Sequence, residues 1–209
     1  MLQNGVWRKH DGYATIPRGR KGIGTKWVFK IKKNGTYRSR LVAKGYDQEA
    51  GIDFWYNFAP VMSDMTFKTM LALWINMEYD CLALNVQTAF LYGNLEEELF
   101  IDLPEGYKIF LKENNEEIGA HKYLKLQKTL YGLVQAGREW WKIFVKMLKD
   151  KLGFKQFQNN TCLLKRETKE GLCIMGIYVD DCLMIGDKAA IKKAAEDIKK
   201  HFNVTTGNV

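Results

Sequence analysis

Asp180 and Asp181 are adjacent carboxylates set into an apolar run that otherwise extends from Leu172 to Gly186. An unpaired ionised carboxylate inside a sheet costs on the order of several kcal/mol, so the pair needs solvent or a cation. A tight hairpin gives access to both: residues 172–178 pair with residues 182–186 and lift the two aspartates to the tip, at the floor of a cleft. Hard divalent cations suit such a site, because Mg2+ keeps several of its waters and shares one or two protein carboxylates with substrate phosphates. The competing reading is a loop pair that merely caps the next turn.

Other elements must hold that hairpin in place. Alternation around Trp27 and Phe29 predicts a strand over 26–31, and residues 37–43 return after Lys32-Lys33-Asn34-Gly35-Thr36. Asn-Gly between two such runs signals a hairpin with a type I′ turn. Ser63 is a candidate N-cap for a core-facing helix over 63–77, carried by Phe67, Met70, Leu71, Trp74 and Ile75. Residues 81–86 read as a short strand, 99–103 as another stopped by Pro104, and 105–121 as an exposed acidic loop. A second helix over 137–152 carries Trp141, Phe144, Leu148 and Leu152 on one stripe and is closed by Gly153. Residues 161–166 form a strand, and Asp187 opens a third helix with Ile191, Ala194, Ala195, Ile198 and Phe202 inward. The first 24 residues, with five glycines and no periodicity, read as a surface-wrapping lead-in. From residue 81 onward, strand, helix, hairpin and helix predict an α+β fold: a sheet backed by two helices on one face, its chemistry at the strand ends.

The 209 residues are 46% hydrophobic, enough for a full core in one domain or two joined subdomains. A net charge of +8 invites a polyanion, and the charge is unevenly spread. Residues 1–50 carry 12 basic and 3 acidic side chains, residues 51–121 carry 3 and 12, and residues 122–209 carry 17 and 9. The first hairpin bristles with Lys26, Lys30, Lys32, Lys33, Arg38, Arg40 and Lys44. Such an arm can close over phosphates, or its lysines can simply protect an edge from aggregation. Cys81, Cys162, Cys173 and Cys182 show no Cys-x-x-Cys spacing and read as reduced core residues. No stretch approaches the ~20 apolar residues that span a bilayer, and no signal peptide opens the chain, so it reads as soluble and intracellular, cytoplasmic or nuclear. There is no Walker-type loop and no Ser/His/Asp arrangement, and His10, His121 and His201 are isolated.

Tyr178-Val179-Asp180-Asp181 between two apolar strands resembles the Tyr-x-Asp-Asp hairpin of reverse transcriptases. Trp27-Val-Phe-Lys-Ile-Lys32, Arg40-Leu-Val-Ala-Lys-Gly45, Gly51-Ile-Asp-Phe54, Phe58-Ala-Pro-Val61, Thr88-Ala-Phe-Leu91 and Leu130-Tyr-Gly-Leu-Val-Gln-Ala136 are similar to the copia-type branch of LTR retrotransposons. The resemblance implies a right-hand polymerase fold. In it, residues 1–80 are mainly fingers built on the basic hairpin, residues 81–209 are a ferredoxin-like palm with the acidic loop near 105–121, and the thumb is absent. The implied activity is RNA-directed DNA synthesis by one domain of a retrotransposon polyprotein. A primer 3′-hydroxyl attacks the α-phosphate of a dNTP at two Mg2+ ions, for which Mn2+ can substitute. The implied partners are an RNA or DNA template with its primer, a dNTP, and the thumb and RNase H parts of a longer polyprotein, in a cytoplasmic virus-like particle or the nucleus, with no membrane.

Carried over residue by residue, Asp180 and Asp181 match the metal ligands, with Val86 counted beside them. Lys26 and Arg40 match triphosphate-holding positions, where Arg's planar fork suits phosphate oxygens. Phe90 looks like a sugar gate whose ring fills the space of a ribose 2′-hydroxyl. Gln135 and Tyr178 match nucleotide contacts, and Arg38 and Lys44 nucleic-acid contacts. The chain departs from the pattern where the family has a third metal-binding aspartate: the string here is Leu84-Asn85-Val86-Gln87-Thr88-Ala89-Phe90-Leu91. The amide removes one negative charge from a site meant for two divalent cations. Asp80 cannot replace it, since five residues along a strand turn a side chain to the opposite face. Gly137 stands where the family has proline, and Gln87 where it has lysine. Two functions follow as expectations: a polymerase domain impaired by Asn85, or an inactive descendant that binds nucleic acid or a partner.

Overall fold

The computed structural model describes residues 1–8, 12–13, 15–114 and 122–207; His10, His121 and residues 115–121 of the expected acidic loop lie outside them. Two short strands, β1 (Gly12–Tyr13) and β2 (Gly22–Ile23), precede the hairpin β3 (Thr25–Ile31) and β4 (Tyr37–Ala43). Helix α1 (Asp64–Asn76) leads into β5 (Asp80–Val86), followed by β6 (Phe100–Asp102), α2 (Tyr107–Glu113) and β7 (Tyr123–Lys125). Helix α3 (Ala136–Asp150) precedes β8 (Lys155–Phe157), β9 (Asn160–Thr168), β10 (Gly171–Tyr178) and β11 (Asp181–Gly186). Then come α4 (Lys188–Lys199) and β12 (Val204–Gly207). This is the expected α+β class. The elements divide between two compact units that interleave along the chain, Met1–Phe58 with Phe90–Trp140 and Ala59–Ala89 with Trp141–Val209.

The first unit holds a four-stranded sheet in the order β1-β7-β6-β2, with β2 parallel to β6, and the separate β3-β4 hairpin. Its core gathers Val6, Trp7, Ile23, Leu41, Leu99 and Ile101. The lead-in therefore does not merely wrap the surface. Val6 and Trp7 are buried, and Gly22 lies where any side chain would strike Asp102 and Tyr123, so β2 can pair closely with β6. Within the expected acidic loop, residues 107–113 are instead helix α2, because Tyr107 and Leu111, four apart, bury on one face. The basic hairpin forms as expected, with a different turn. Only Gly35 has positive φ (+80°), and its N–H donates to the Lys32 carbonyl at 2.9 Å, whereas a type I′ turn needs two such residues.

The second unit is built on a six-stranded antiparallel sheet in the order β12-β5-β11-β10-β9-β8. Every residue from 182 to 186 is buried, so β11 is covered on both faces. Helix α1 covers one of them through Met70, which clusters with Leu183 and Ile185. Gly176 permits this approach: a Cβ there would sit 2.5 Å from the Met62 sulfur and 2.6 Å from that of Met70. Ser63 caps α1 as expected, accepting from the Thr66 N–H at 3.2 Å. The helix is less core-facing than its spacing predicts. Phe67 is 40% and Ile75 69% exposed, because apolar residues, Met65 and Leu73 among them, occupy more than one of its faces. Gly153 ends α3 at φ +70°, and the Phe154 N–H donates to the Leu148 carbonyl. Helix α4 buries Ile191, Ala194, Ala195 and Ile198 and packs on β5, β10, β11 and β12.

Candidate active site

The aspartate hairpin closes through two residues, Val179 and Asp180, since Tyr178 pairs with Asp181. Asp181 is thus the first residue of β11, and only Asp180 rides on the turn, a shift of one residue from the expected tip. Val179 has φ +56°, the position that two-residue turns of type II′ give to glycine. A β-branched residue there stores on the order of 1–3 kcal/mol of strain, held by its surroundings. One restraint is visible: the Val86 N–H donates to the Asp180 carbonyl at 2.8 Å, tying the turn to β5.

Strand register then builds a row across four strands. Thr205 of β12 faces Asn85 of β5, Asn85 faces Asp181 of β11, and Asp181 faces Tyr178 of β10. Residues directly opposite in a ladder have adjacent side chains, and here Asn85 Nδ2 donates to Asp181 Oδ1 at 2.7 Å. An amide oxygen turned that way would meet the carboxylate with like partial charge, so the donor orientation is the stable one without a cation between them. Asp80 pairs with Gly186 at the other end of the ladder, 3.9 Å from Lys188. Asn85, Tyr178, Asp181 and Thr205 line a cleft of about 640 Å3 whose apolar wall includes Met62 and Phe67. Asp181 is exposed and Asp180 half-buried, while beneath them the Cys182 thiol is pushed far up, first by burial and then by the charges of Asp181 and Asp180. The Val86 side chain is fully buried, which leaves its backbone carbonyl as the group able to meet a cation.

Among the described residues no three His, Cys, Asp or Glu side chains gather as a metal site. The hard oxygens of Asp180 and Asp181 suit one divalent cation. For a second the site is a carboxylate short, and the Asn85 amide presents a donor where a ligand would be needed.

The remaining expected residues lie in the first unit. Pairing puts Lys26, Lys30, Arg38 and Arg40 on one face of the β3-β4 hairpin and Trp27, Phe29, Ile31 and Tyr37 on the other. Lys26 and Arg38 are exposed, and Lys44 is half-buried beside Gly24. Arg40 is half-buried, its guanidinium 5.4 Å from the centre of the Tyr131 ring. Phe90 meets the same ring edge-on, centroids 5.3 Å apart at 80°. Gln135 turns its amide inward. It is 1% exposed, accepts from Gln48 Nε2 at 3.0 Å and donates to the Asp53 carbonyl at 2.9 Å. Tyr131, four residues earlier in the same string, is half-buried. Nothing local in the sequence marks it, because its partners Arg40 and Phe90 are far away along the chain.

The sequence pattern of the family described as reverse transcriptase (RNA-dependent DNA polymerase) matches residues 7–207. The chain belongs to the reverse transcriptase family. This reverse transcriptase domain is 37% identical over 210 residues to the Retrovirus-related Pol polyprotein from transposon TNT 1-94 of Nicotiana tabacum, covering 98% of this chain and 15% of that relative. It is 29% identical over 188 residues to the Pol polyprotein from transposon RE1 of Arabidopsis thaliana, covering 87% of this chain and 12% of the relative. To the Transposon Ty1-H Gag-Pol polyprotein of Saccharomyces cerevisiae it is 27% identical over 218 residues, covering 100% and 11%. These relatives make it a copia-type reverse transcriptase domain. It spans no more than 15% of the length of any of the three. Among the described residues no helix is long and apolar enough to cross a membrane.

Proposed function

We propose that this domain performs RNA-directed DNA synthesis within a retrotransposon polyprotein, adding nucleotides from dNTPs to a primer 3′-hydroxyl, and that Asn85 weakens the reaction. The observation that carries the reading is the register pairing of Asn85 with Asp181 beside the turn that bears Asp180. The six-stranded unit is read as the palm and the basic hairpin as part of the fingers. Asp180 and Asp181 hold a divalent cation, Mg2+ or Mn2+, with the Val86 carbonyl as a further donor. A cation bound there supplies Lewis-acid activation of the primer hydroxyl and neutralises charge on the reacting phosphoryl group. Arg40 and Lys26 take the triphosphate oxygens, Phe90 excludes a ribose 2′-hydroxyl, and Arg38 and Lys44 contact the nucleic-acid backbone. Tyr178, 54% exposed beside Asp181, contacts the incoming nucleotide.

Asn85 as a donor to Asp181 also supports the second reading, a module that binds primer-template without catalysis. Losing one electrostatic element of a transition state typically costs about a hundred- to a thousand-fold in rate. Mg2+-dependent primer extension by this chain beside its Asn85→Asp variant separates the two. The polymerase reading expects at least about tenfold faster extension by the variant at equal primer-template affinity. Binding without extension in both proteins would leave the binding module.

A further inference from the structure

We infer that Tyr131 is a positioning residue that couples the grip on the nucleotide's phosphates to the choice of its sugar. The inference rests on the reading that Arg40 meets the triphosphate and Phe90 the sugar. A nucleotide's phosphates and its C2′ lie within a reach bounded by covalent structure. A gate at the 2′ position therefore discriminates only if the phosphate-holding group is fixed relative to it.

Tyr131 has the contacts of such a spacer. One face of its ring carries the Arg40 guanidinium at 5.4 Å, an attraction between cation and ring quadrupole, and Phe90 packs edge-on at 5.3 Å. All three side chains are half-buried, so each keeps an open side. The tyrosine is itself pinned to the strand that bears Arg40: its carbonyl accepts from the Ala43 N–H at 2.7 Å. Gly132 follows at φ +87°, where a Cβ would lie 2.1 Å from the Ala43 carbonyl oxygen, and a Cβ on Gly45 would lie 2.1 Å from the Gly132 oxygen. Backbone thus presses on backbone on both sides of β4's end, a contact only glycines allow. Phe90 is fastened to the same segment, since the Thr129 hydroxyl donates to its carbonyl, and Leu130 between them is fully buried. Removing the Tyr131 ring frees the guanidinium and the gate together.

The test measures nucleotide retention, not turnover. The chain is bound to an RNA template with a dideoxy-terminated primer in Mg2+, and dissociation constants are read for the next complementary dGTP and for GTP. Tyr131→Leu is expected to weaken dGTP by about tenfold and to lower the preference for dGTP over GTP by about tenfold, and Tyr131→Phe, which keeps the ring, to restore both. Tyr131→His, with a smaller ring that is a poor partner for a cation, gives the same readout should the leucine variant fail to fold. Weaker dGTP with an unchanged preference would overturn the coupling and leave Tyr131 as a support for Arg40 alone. Unchanged values for both nucleotides would overturn the inference outright. Failure of the unaltered chain to retain dGTP would instead sink the polymerase reading, and the coupling with it.

Discussion

Asn85→Asp changes one atom of the side chain in kind and almost nothing in shape, yet the 2.7 Å bond from Asn85 Nδ2 to Asp181 Oδ1 makes it far from neutral. Without metal, the variant loses a hydrogen bond to a charged group, worth about 1.5–3 kcal/mol. It also sets two carboxylates side by side. At a charge separation of ~4 Å the repulsion is about 1 kcal/mol in water-like surroundings and about 4 kcal/mol near a protein surface. Asp181 is exposed, which favours the lower figure, so the expected cost is about 2–4 kcal/mol in chelator at neutral pH. For a chain of this size that lowers the melting temperature by roughly 4–16 °C. A divalent cation reverses the sign, because a third carboxylate tightens the site and ligand binding stabilises the folded state by mass action. Thermal melts of both proteins in EDTA and across a Mg2+ series check the argument. The variant should melt lower in EDTA and gain more from Mg2+. Equal melting temperatures in EDTA and equal Mg2+ responses would show that Asn85 and Asp181 do not interact, and the row across the sheet would lose its meaning.

Two further outcomes are expected. Arg38→Ala with Lys44→Ala should flatten the salt dependence of binding to an RNA-DNA hybrid, lowering the slope of log K against log salt by about 1.4–1.8; an unchanged slope returns the hairpin to a protected edge. Asp197→Ala should destabilise the protein by about 3–5 kcal/mol in urea titrations, because Arg166, 6% exposed and 3.1 Å from Asp197, is left as a buried charge. The Lys200 hydrogen bond, and then that from Arg166, hold the Asp197 carboxyl below the usual carboxylate range. Its stabilisation is therefore full above the ordinary value of about 3.9 and lost as pH falls through the lower folded value, so the two proteins should converge in acid.

What the sequence made legible was local or periodic. The Ser63 cap, the Gly153 stop, both hairpins and the parity that separates Asp80 from Asn85 rest on a few neighbouring residues, and their physics does not wait for the fold. The two-residue strands β1 and β2 are too short for any period to show, and helix α2 lay beside an acidic stretch whose composition suggested a loop. The motif position of Gln135 was readable, whereas its burial and its partners Gln48 and Asp53, more than 80 residues away, were not. The same distance hid the Arg40–Tyr131 contact. The substitution at position 85 was readable, whereas the direction its amide points was not, since that depends on which side chain the sheet places opposite.

The order in which β5 acquires its neighbours bears on how the protein is made. Both strands that flank it, β11 and β12, come later in the chain, and Asp181 follows Asn85 by 96 residues. On a ribosome adding ~5–20 residues per second, β5 waits roughly 5–20 s with both edges unpaired while much of the other unit emerges. Closing so long a loop adds to the entropic barrier of pairing, and an apolar strand left open is a template for the wrong partner. A nascent chain cut anywhere between residues 90 and 180 would carry the strand of Asn85 with neither neighbour, and should be found in inclusion bodies or held by chaperones rather than as a soluble half-molecule.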